Sequence, residues 1–238
     1  MTTKEKSLPP NSLNLEPQKK IVKTSGANRS NCKLLVFGGS GHAKDVLDVA
    51  KTIGYRQISI VTSDGSCDIT GLTAIKEAMC APEDFANWDC FVAIGNNTHR
   101  KRLLTAYSTL RFVSIISPSA EVSDSANIAD GCFIGTHAYI GPDSTLGRGC
   151  IVNTHSIVGH DSTIGVFSHV GPKVCIAGNV TIAENVFIGA GATLNNGSPD
   201  EPLTIPKDVY IGMGCNITHS IKHEGIRIIP KPNYVAVK

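Results

Sequence analysis

The chain has 238 residues, with 22 Lys and Arg against 20 Asp and Glu and a net charge of +2. So even a balance supplies no basic field for a nucleic acid partner, and no run of about eighteen apolar residues is present to span a membrane. The length suits two modest domains, and the aromatic share of 5% suits one built from small and β-branched side chains. The first segment, 1–31, is polar and aperiodic and has no apolar core of the signal-peptide kind. It is expected to be a flexible extension.

Residues 32–112 are expected to form an α/β domain. The apolar stretch 33–37 predicts a strand. Gly38-Gly39-Ser40-Gly41-His42 follows and opens a helix on which Ala43, Val46, Leu47, Ala50 and Ile53 share one face; Gly54 ends it. A second strand is expected at 57–61, a weaker helix at about 72–79, a third strand at 91–94 and a helix at about 98–108. This βαβαβ order predicts a small parallel sheet with helices on its faces. The glycine turn can present backbone N–H groups to a phosphate at the helix start, or it can be a tight turn with a structural role alone. Lys44 occupies the third glycine position of the dinucleotide fingerprint. A mononucleotide or a nucleotide diphosphate sugar therefore fits the turn better than NAD. Thr62 and Ser63 end the second strand, the usual edge for ligands in open α/β sheets, where they are either contacts or ordinary polar termini.

Residues 113–221 carry a period of six. From Ile116 to Leu194 an Ile, Leu or Val stands at every sixth position, fourteen times in succession. Ala, Ser, Val or Cys follows four residues later, and Ser, Ala, Gly or Asn directly after, as at Gly135, Gly141 and Gly165. A hexapeptide period predicts a parallel β-helix in which three hexapeptides close one coil of about eighteen residues. The aliphatics should stack inward, and the Gly or Asn should sit where the chain turns and positive φ is needed. Cys132 and Cys150 should stack in adjacent coils. The period breaks at an inserted loop, 195–203, and resumes at Ile205, Ile211 and Ile217. About six coils are expected, followed by a tail over 222–238. The eight cysteines show no C-x-x-C and no metal-type spacing, so buried thiols in a reducing compartment are expected.

Four histidines fall on the coils, His137, His155, His160 and His169, and none is at an inward position of the period. His160 is followed by Asp161, and a carboxylate beside an imidazole orients it and raises its basicity, which suits a general base. His137, His155 and His160 also permit a zinc reading, since imidazoles from adjacent subunits can share a metal.

The segments V-F-G-G-S-G-H-A-K-D-V, A-I-G-N-N-x-x-R-K, I-S-P-S-A and N-T-H-S-I-V-G-H-D-S-T-I-G-V-F-S-H-V-G resemble the PglD/NeuD-type acyltransferases over about residues 33–194. The resemblance implies a left-handed β-helix, acetyl-CoA as co-substrate, a nucleotide-activated amino sugar as acceptor and a homotrimer with the active site between subunits; the buried thiols expected above imply a cytoplasmic location. By position it assigns the catalytic base to His160, its acidic partner to Asp161 and a polar contact to Asn153. Acetyl-CoA contacts fall on His169, the amide of Gly178, Ala190, Gly212 and Met213. Nucleotide-sugar contacts fall on Ser40, Gly41 and His42, with Thr62 and Ser63 where relatives often carry acidic residues. No metal is implied. The loop 195–203 and the C-terminal sequence I-I-P-K-P-N-Y-V-A-V-K depart from the family pattern. The activity implied is N-acetylation of a nucleotide-linked 4-amino-4,6-dideoxyhexose for surface glycans. Its alternatives are O-acetylation of a sialic acid, a γ-carbonic-anhydrase-like metal site and a non-catalytic scaffold.

Overall fold

The computed structural model describes residue 29 and residues 31–230. The extension expected over 1–31 and the last residues of the 222–238 tail lie almost wholly outside this range. Among the described residues no helix is long and apolar enough to cross a membrane.

The α/β part is one five-stranded parallel sheet. In chain order its elements are β1 (Lys33–Phe37), α1 (Gly41–Thr52), β2 (Gln57–Thr62), β3 (Ala74–Lys76), β4 (Asp89–Val92), α2 (Asn97–Ala106) and β5 (Arg111–Phe112). The strand order is β3-β2-β1-β4-β5. β1 is central and buried from Leu34 to Phe37, as a strand covered on both faces must be. The helix expected at 72–79 is absent. Ala74–Lys76 instead pairs in parallel with Ile60–Thr62, and Glu77–Met79 forms a single 3-10 turn. Ladder hydrogen bonds and the packing of Leu72 and Ala74 against the core override a weak helical pattern there.

The second part is a left-handed β-helix of two- and three-residue strands, from Ile115–Ile116 to Arg227–Ile228. These stack into three parallel sheets. Tyr139 pairs with Ile157 and Thr145 with Thr163, the offset of eighteen that three hexapeptides per coil require. After the inserted loop the pairing runs Phe187 with Tyr210 and Thr193 with Asn216, so the helix absorbs five extra residues and regains its register. The sheet continues past 221, since Arg227 pairs with Tyr210, and the coil domain therefore ends later than the sequence suggested.

The inward aliphatics form one continuous core, with Ile134, Ile140, Leu146, Val152, Val158 and Ile164 all at 0% exposure. Each such burial contributes about 1.5–3 kcal/mol. The small residues at the interior corners are bonded as well as buried. Ser144, Ser156, Ser162 and Ser168 each donate a hydroxyl hydrogen to a carbonyl of the next coil, at Gly159, Gly171, Ala177 and Ala183. Cys132 and Cys150 stack as expected and do the same with their thiols, at 3.1 Å, to Gly147 and Gly165.

One expectation about the glycines is corrected. The Gly after each aliphatic does not carry positive φ; it is small because the next coil comes too close. A Cβ on Gly165 would lie 2.4 Å from the Ala183 carbonyl carbon, and one on Gly147 would lie 2.6 Å from the Val166 nitrogen. Positive φ falls two residues later and mostly on residues with side chains, among them His137, His155, Asp161, Lys173 and Asn185, all near +55° to +58°.

The α/β part covers one of the three faces. Ile115, Phe133 and Ile151 point outward from successive coils, yet they are 0% exposed and belong to the core formed with α1 and β1.

Candidate active site

The glycine turn joins β1 to α1 at the carboxyl end of the sheet. Gly38 has φ +117°, and a Cβ there would lie 2.7 Å from the Ala93 oxygen. A Cβ on Gly39 would lie 2.9 Å from Thr62 Cγ2, whereas one on Gly41 would meet nothing within 4 Å. The first two glycines are therefore required by the fold, and the third leaves open space at the start of α1. Ser40 stands at the helix N-cap without a side-chain capping bond, so its hydroxyl is free for a ligand. The helix start favours an anion.

Beside the turn is a cavity of about 430 Å³, walled by Gly38, Gly39, Ser40, Thr62, Ser63, Asp64, Asp68, Ile94, Glu77 and Arg102, among others. Thr62 Oγ1 accepts the Gly65 amide at 3.1 Å. Asp64 accepts the Ser66 amide and hydroxyl at 3.0 and 2.8 Å, and these bonds hold its carboxyl below the usual range. Arg102 grips Glu77 through two bonds of 2.8 and 2.9 Å. The acidic residues that the resemblance expects at positions 62 and 63 are absent, but Asp64, Asp68 and Glu77 bring carboxylates to the same wall. Sequence reasoning missed these three; the signal available was Asp64, directly after the strand-end pair.

His42 sits on the coil side of the turn rather than in the cavity wall. Its ring meets Phe133 edge-on at 5.1 Å, and its Nε2 is buried without a hydrogen-bond partner. Burial, with lesser effects of His169 and Arg100, lowers its pKa to about 3. His169 points outward from its strand but is only 8% exposed, because the α/β part lies over it. Its Nδ1 bonds to the Gly95 oxygen at 2.9 Å, and its ring lies 6.3 Å from that of His42. Burial is the main cause that lowers its pKa to about 4.

His160 occupies a different setting, a solvent-facing corner after the strand Ile157–Val158. Its Nδ1 lies 2.7 Å from Asp161 Oδ2, and the two side chains are 60% and 52% exposed. Asp161 has φ +56°, a region Asp tolerates better than most residues. An imidazole that gives its Nδ1–H to a carboxylate carries its lone pair on Nε2. That nitrogen points to the neighbouring coil, since a Cβ on Gly178 would lie 2.5 Å from it. The missing side chain at Gly178 thus leaves room for the ring over the next corner. The Gly178 amide donates to no acceptor among the described residues. Both feet of the inserted loop tie down here: Gly197 donates to the Gly178 oxygen and Leu203 to the Asn179 oxygen, each at 3.1 Å.

The remaining assigned residues lie on another corner. Asn153 precedes the strand Ile157–Val158 that His160 follows, and its Oδ1 accepts the Thr154 amide at 2.7 Å. Ala190, Gly212 and Met213 stand two and three coils further along that same corner. Ala190 accepts the Gly214 amide at 2.9 Å, Gly212 is buried and Met213 is 67% exposed. One chain therefore brings His160, Asp161 and Gly178 together and sets Asn153, Ala190, Gly212 and Met213 at the opposite end of the strands between the two corners. The rings of His137 and His155 lie 5.1 Å apart, tilted by 31°, on the second corner, apart from His160. Among the described residues no three metal-ligating side chains converge.

Residues 33–107 match the PglD N-terminal domain family. The chain is 30% identical to PerB of Caulobacter crescentus, whose structure holds CoA and GDP-perosamine; the TM-score is 0.73, over 79% of this chain and 90% of that one. It is also 30% identical to the acetyltransferase domain of PglB from Neisseria gonorrhoeae, with a TM-score of 0.73 over 82% of this chain and 95% of that one. WeeI from Acinetobacter baumannii shares the fold at 24% identity, with a TM-score of 0.69 over 84% and 98% of the two chains. Among curated proteins, an uncharacterized protein of Acanthamoeba polyphaga mimivirus, L142, is 30% identical over 107 residues, 45% of this chain. The match spans only 22% of that protein's length.

Proposed function

Because the chain belongs to the PglD-type sugar acetyltransferases, we propose that it moves an acetyl group from acetyl-CoA to the 4-amino group of a nucleotide-linked 4-amino-4,6-dideoxyhexose. The observation that carries the mechanism is the His160–Asp161 pair, with Nδ1 on the carboxylate and Nε2 free beside Gly178. The amine nitrogen attacks the thioester carbonyl carbon, and Nε2 of His160 takes the proton that the nitrogen loses. The Gly178 amide stabilises the oxyanion. The C–S bond then breaks, and the CoA thiolate takes the proton back from His160. Asp161 keeps the ring in the tautomer that can do this.

The nucleotide occupies the cavity beside the glycine turn, its diphosphate at Ser40, Gly41 and the start of α1. Thr62, Ser63 and Asp64 face its ribose and base, and His42 and His169 mark the way to the coils. Acetyl-CoA lies between two copies of the chain. The corner with Asn153, Ala190, Gly212 and Met213 on one copy meets the corner with His160 on the next. Tyr139 and Ile157, 36% and 43% exposed on the face between those corners, support such a contact. A homotrimer fits this reading, since one copy alone leaves the site divided, and a cytoplasmic location fits the eight free thiols.

The test is release of CoA thiol from acetyl-CoA with UDP-, dTDP- and GDP-linked 4-amino-4,6-dideoxyhexoses offered in turn, with product mass measured. An acetylated product with one of them is expected. Release with none of them, but with a sialic acid, would move the assignment to O-acetylation.

A further inference from the structure

A buried guanidinium joins the two parts of the molecule. Arg100, on α2, is 0% exposed and bonds to no carboxylate. Its Nε donates to the Gly149 oxygen at 2.7 Å, and its Nη1 to the Ile94 and Gly95 oxygens at 2.9 and 3.2 Å. Its Nη2 donates to Asn97 Oδ1 at 2.8 Å, to the Phe167 oxygen at 2.7 Å and, at 3.4 Å, to that of Ser168. Two acceptors belong to the loop after β4, one to the first residue of α2 and three to two successive coils. All the donors of the planar fork find partners, and Asn97 adds a bond of its own to the Val186 oxygen at 3.2 Å.

A charge buried without a counter-ion is a costly way to close an interface that apolar side chains could fill. What it adds is direction, because a rigid fork with acceptors on three segments admits one relative placement of them. Two of the acceptors belong to the catalytic geometry. Ile94 lines the nucleotide cavity. The Gly95 oxygen is shared with His169 Nδ1, so that nitrogen carries the hydrogen and Nε2 is left as an acceptor.

We propose that Arg100 is a positioning residue for the transfer. It locks the loop 94–97, and the cavity that loop walls, onto the coils, and it presents His169 as the Nδ1–H tautomer with Nε2 free to accept. The positive charge also opposes protonation of His169, in the same direction as burial. This inference rests on the acetyltransferase reading above.

The experiment compares wild type with Arg100→Met and Arg100→Lys. It measures kcat and KM with the nucleotide sugar selected above, equilibrium binding of CoA alone, and the ¹⁵N shifts of the His169 ring, assigned with a His169→Asn sample. Arg100→Met should bind CoA within about twofold of wild type and lose up to about 10²-fold in kcat, the scale of an ångström-level misplacement, with a smaller change in KM. Its His169 should lose the Nδ1–H signature, and Arg100→Lys should recover part of both losses. Wild-type kcat in Arg100→Met, or an Nε2–H tautomer in the wild-type protein, would overturn the proposal. If Arg100→Met does not fold, Asn97→Ala must show the same split of kcat from KM at smaller size, and an unchanged kcat there would also overturn it. A wild-type protein that acetylates no nucleotide sugar would sink the nucleotide-sugar reading, while the ring tautomer would still decide the placement of His169.

Discussion

His160 and His169 stand nine residues apart, both outside the inward positions of the same repeat, and the molecule treats them in opposite ways. His160 is on a corner, open to solvent and paired with a carboxylate. His169 is on a face, roofed by the α/β part and tied to a backbone oxygen. The first is dressed to exchange a proton; the second is held neutral and fixed in direction. The repeat sets which way a side chain leaves the coil, and what lies over that face decides its chemistry.

Removing the imidazole at the corner is the largest break in this contrast. His160→Ala should lower turnover by about 10²–10⁴-fold, the usual general-base contribution, with thermal unfolding unchanged; equal turnover would take His160 out of the mechanism. Next comes Gly178→Ala, whose added methyl would lie 2.5 Å from the ring of His160. It should cost up to about 10²-fold in kcat by turning the ring, and little stability. Gly165→Ala is its counterpart inside the stack, where the methyl meets backbone that cannot move. There the loss should be in stability, about 1–3 kcal/mol by denaturant titration. If both glycine variants lost stability alone, the distinction between corner and interior would fail.

The smallest effect at neutral pH belongs to His169. Its folded pKa, about 4, is below the unfolded value near 6.5, so the unfolded chain takes up the proton first as pH falls. The stability from the neutral ring is complete above about pH 6.5 and declines down to about pH 4, at up to roughly 1.4 kcal/mol per pH unit. Unfolding titrations over that window should show a shallower slope in His169→Asn than in wild type. Equal slopes would mean that the ring is not held neutral by burial.

The coils were legible because their period repeats a single physical demand, an aliphatic facing inward at every sixth residue. The same regularity concealed why the glycines are there. Close approach of the next coil and positive φ can each account for a glycine, and only the backbone shows that Gly165 answers the first while the second falls on residues such as Asp161. The apolar residues of segment 72–79 fit a helix, while its fate is decided by the open edge of β2, which pairs residues fourteen positions apart. His160–Asp161 could be read from adjacency. Arg100 could not, since its six acceptors come from residues 94 to 168 and nothing local marks it as buried. The acidic wall of the cavity was also hidden, because Glu77 reaches it from a turn misassigned as a helix.

The roof over the first coils has a mechanical consequence. The first coils are braced sideways by a second hydrophobic core through Ile115, Phe133 and Ile151, whereas those from Phe187 to Arg227 hold chiefly to the coil beside them. A stack coupled only to its neighbours frays from its weaker end. Under load or denaturant the stack should open from the Arg227 side and halt where Arg100 enters it, leaving the cavity beside the glycine turn intact after the far coils have opened.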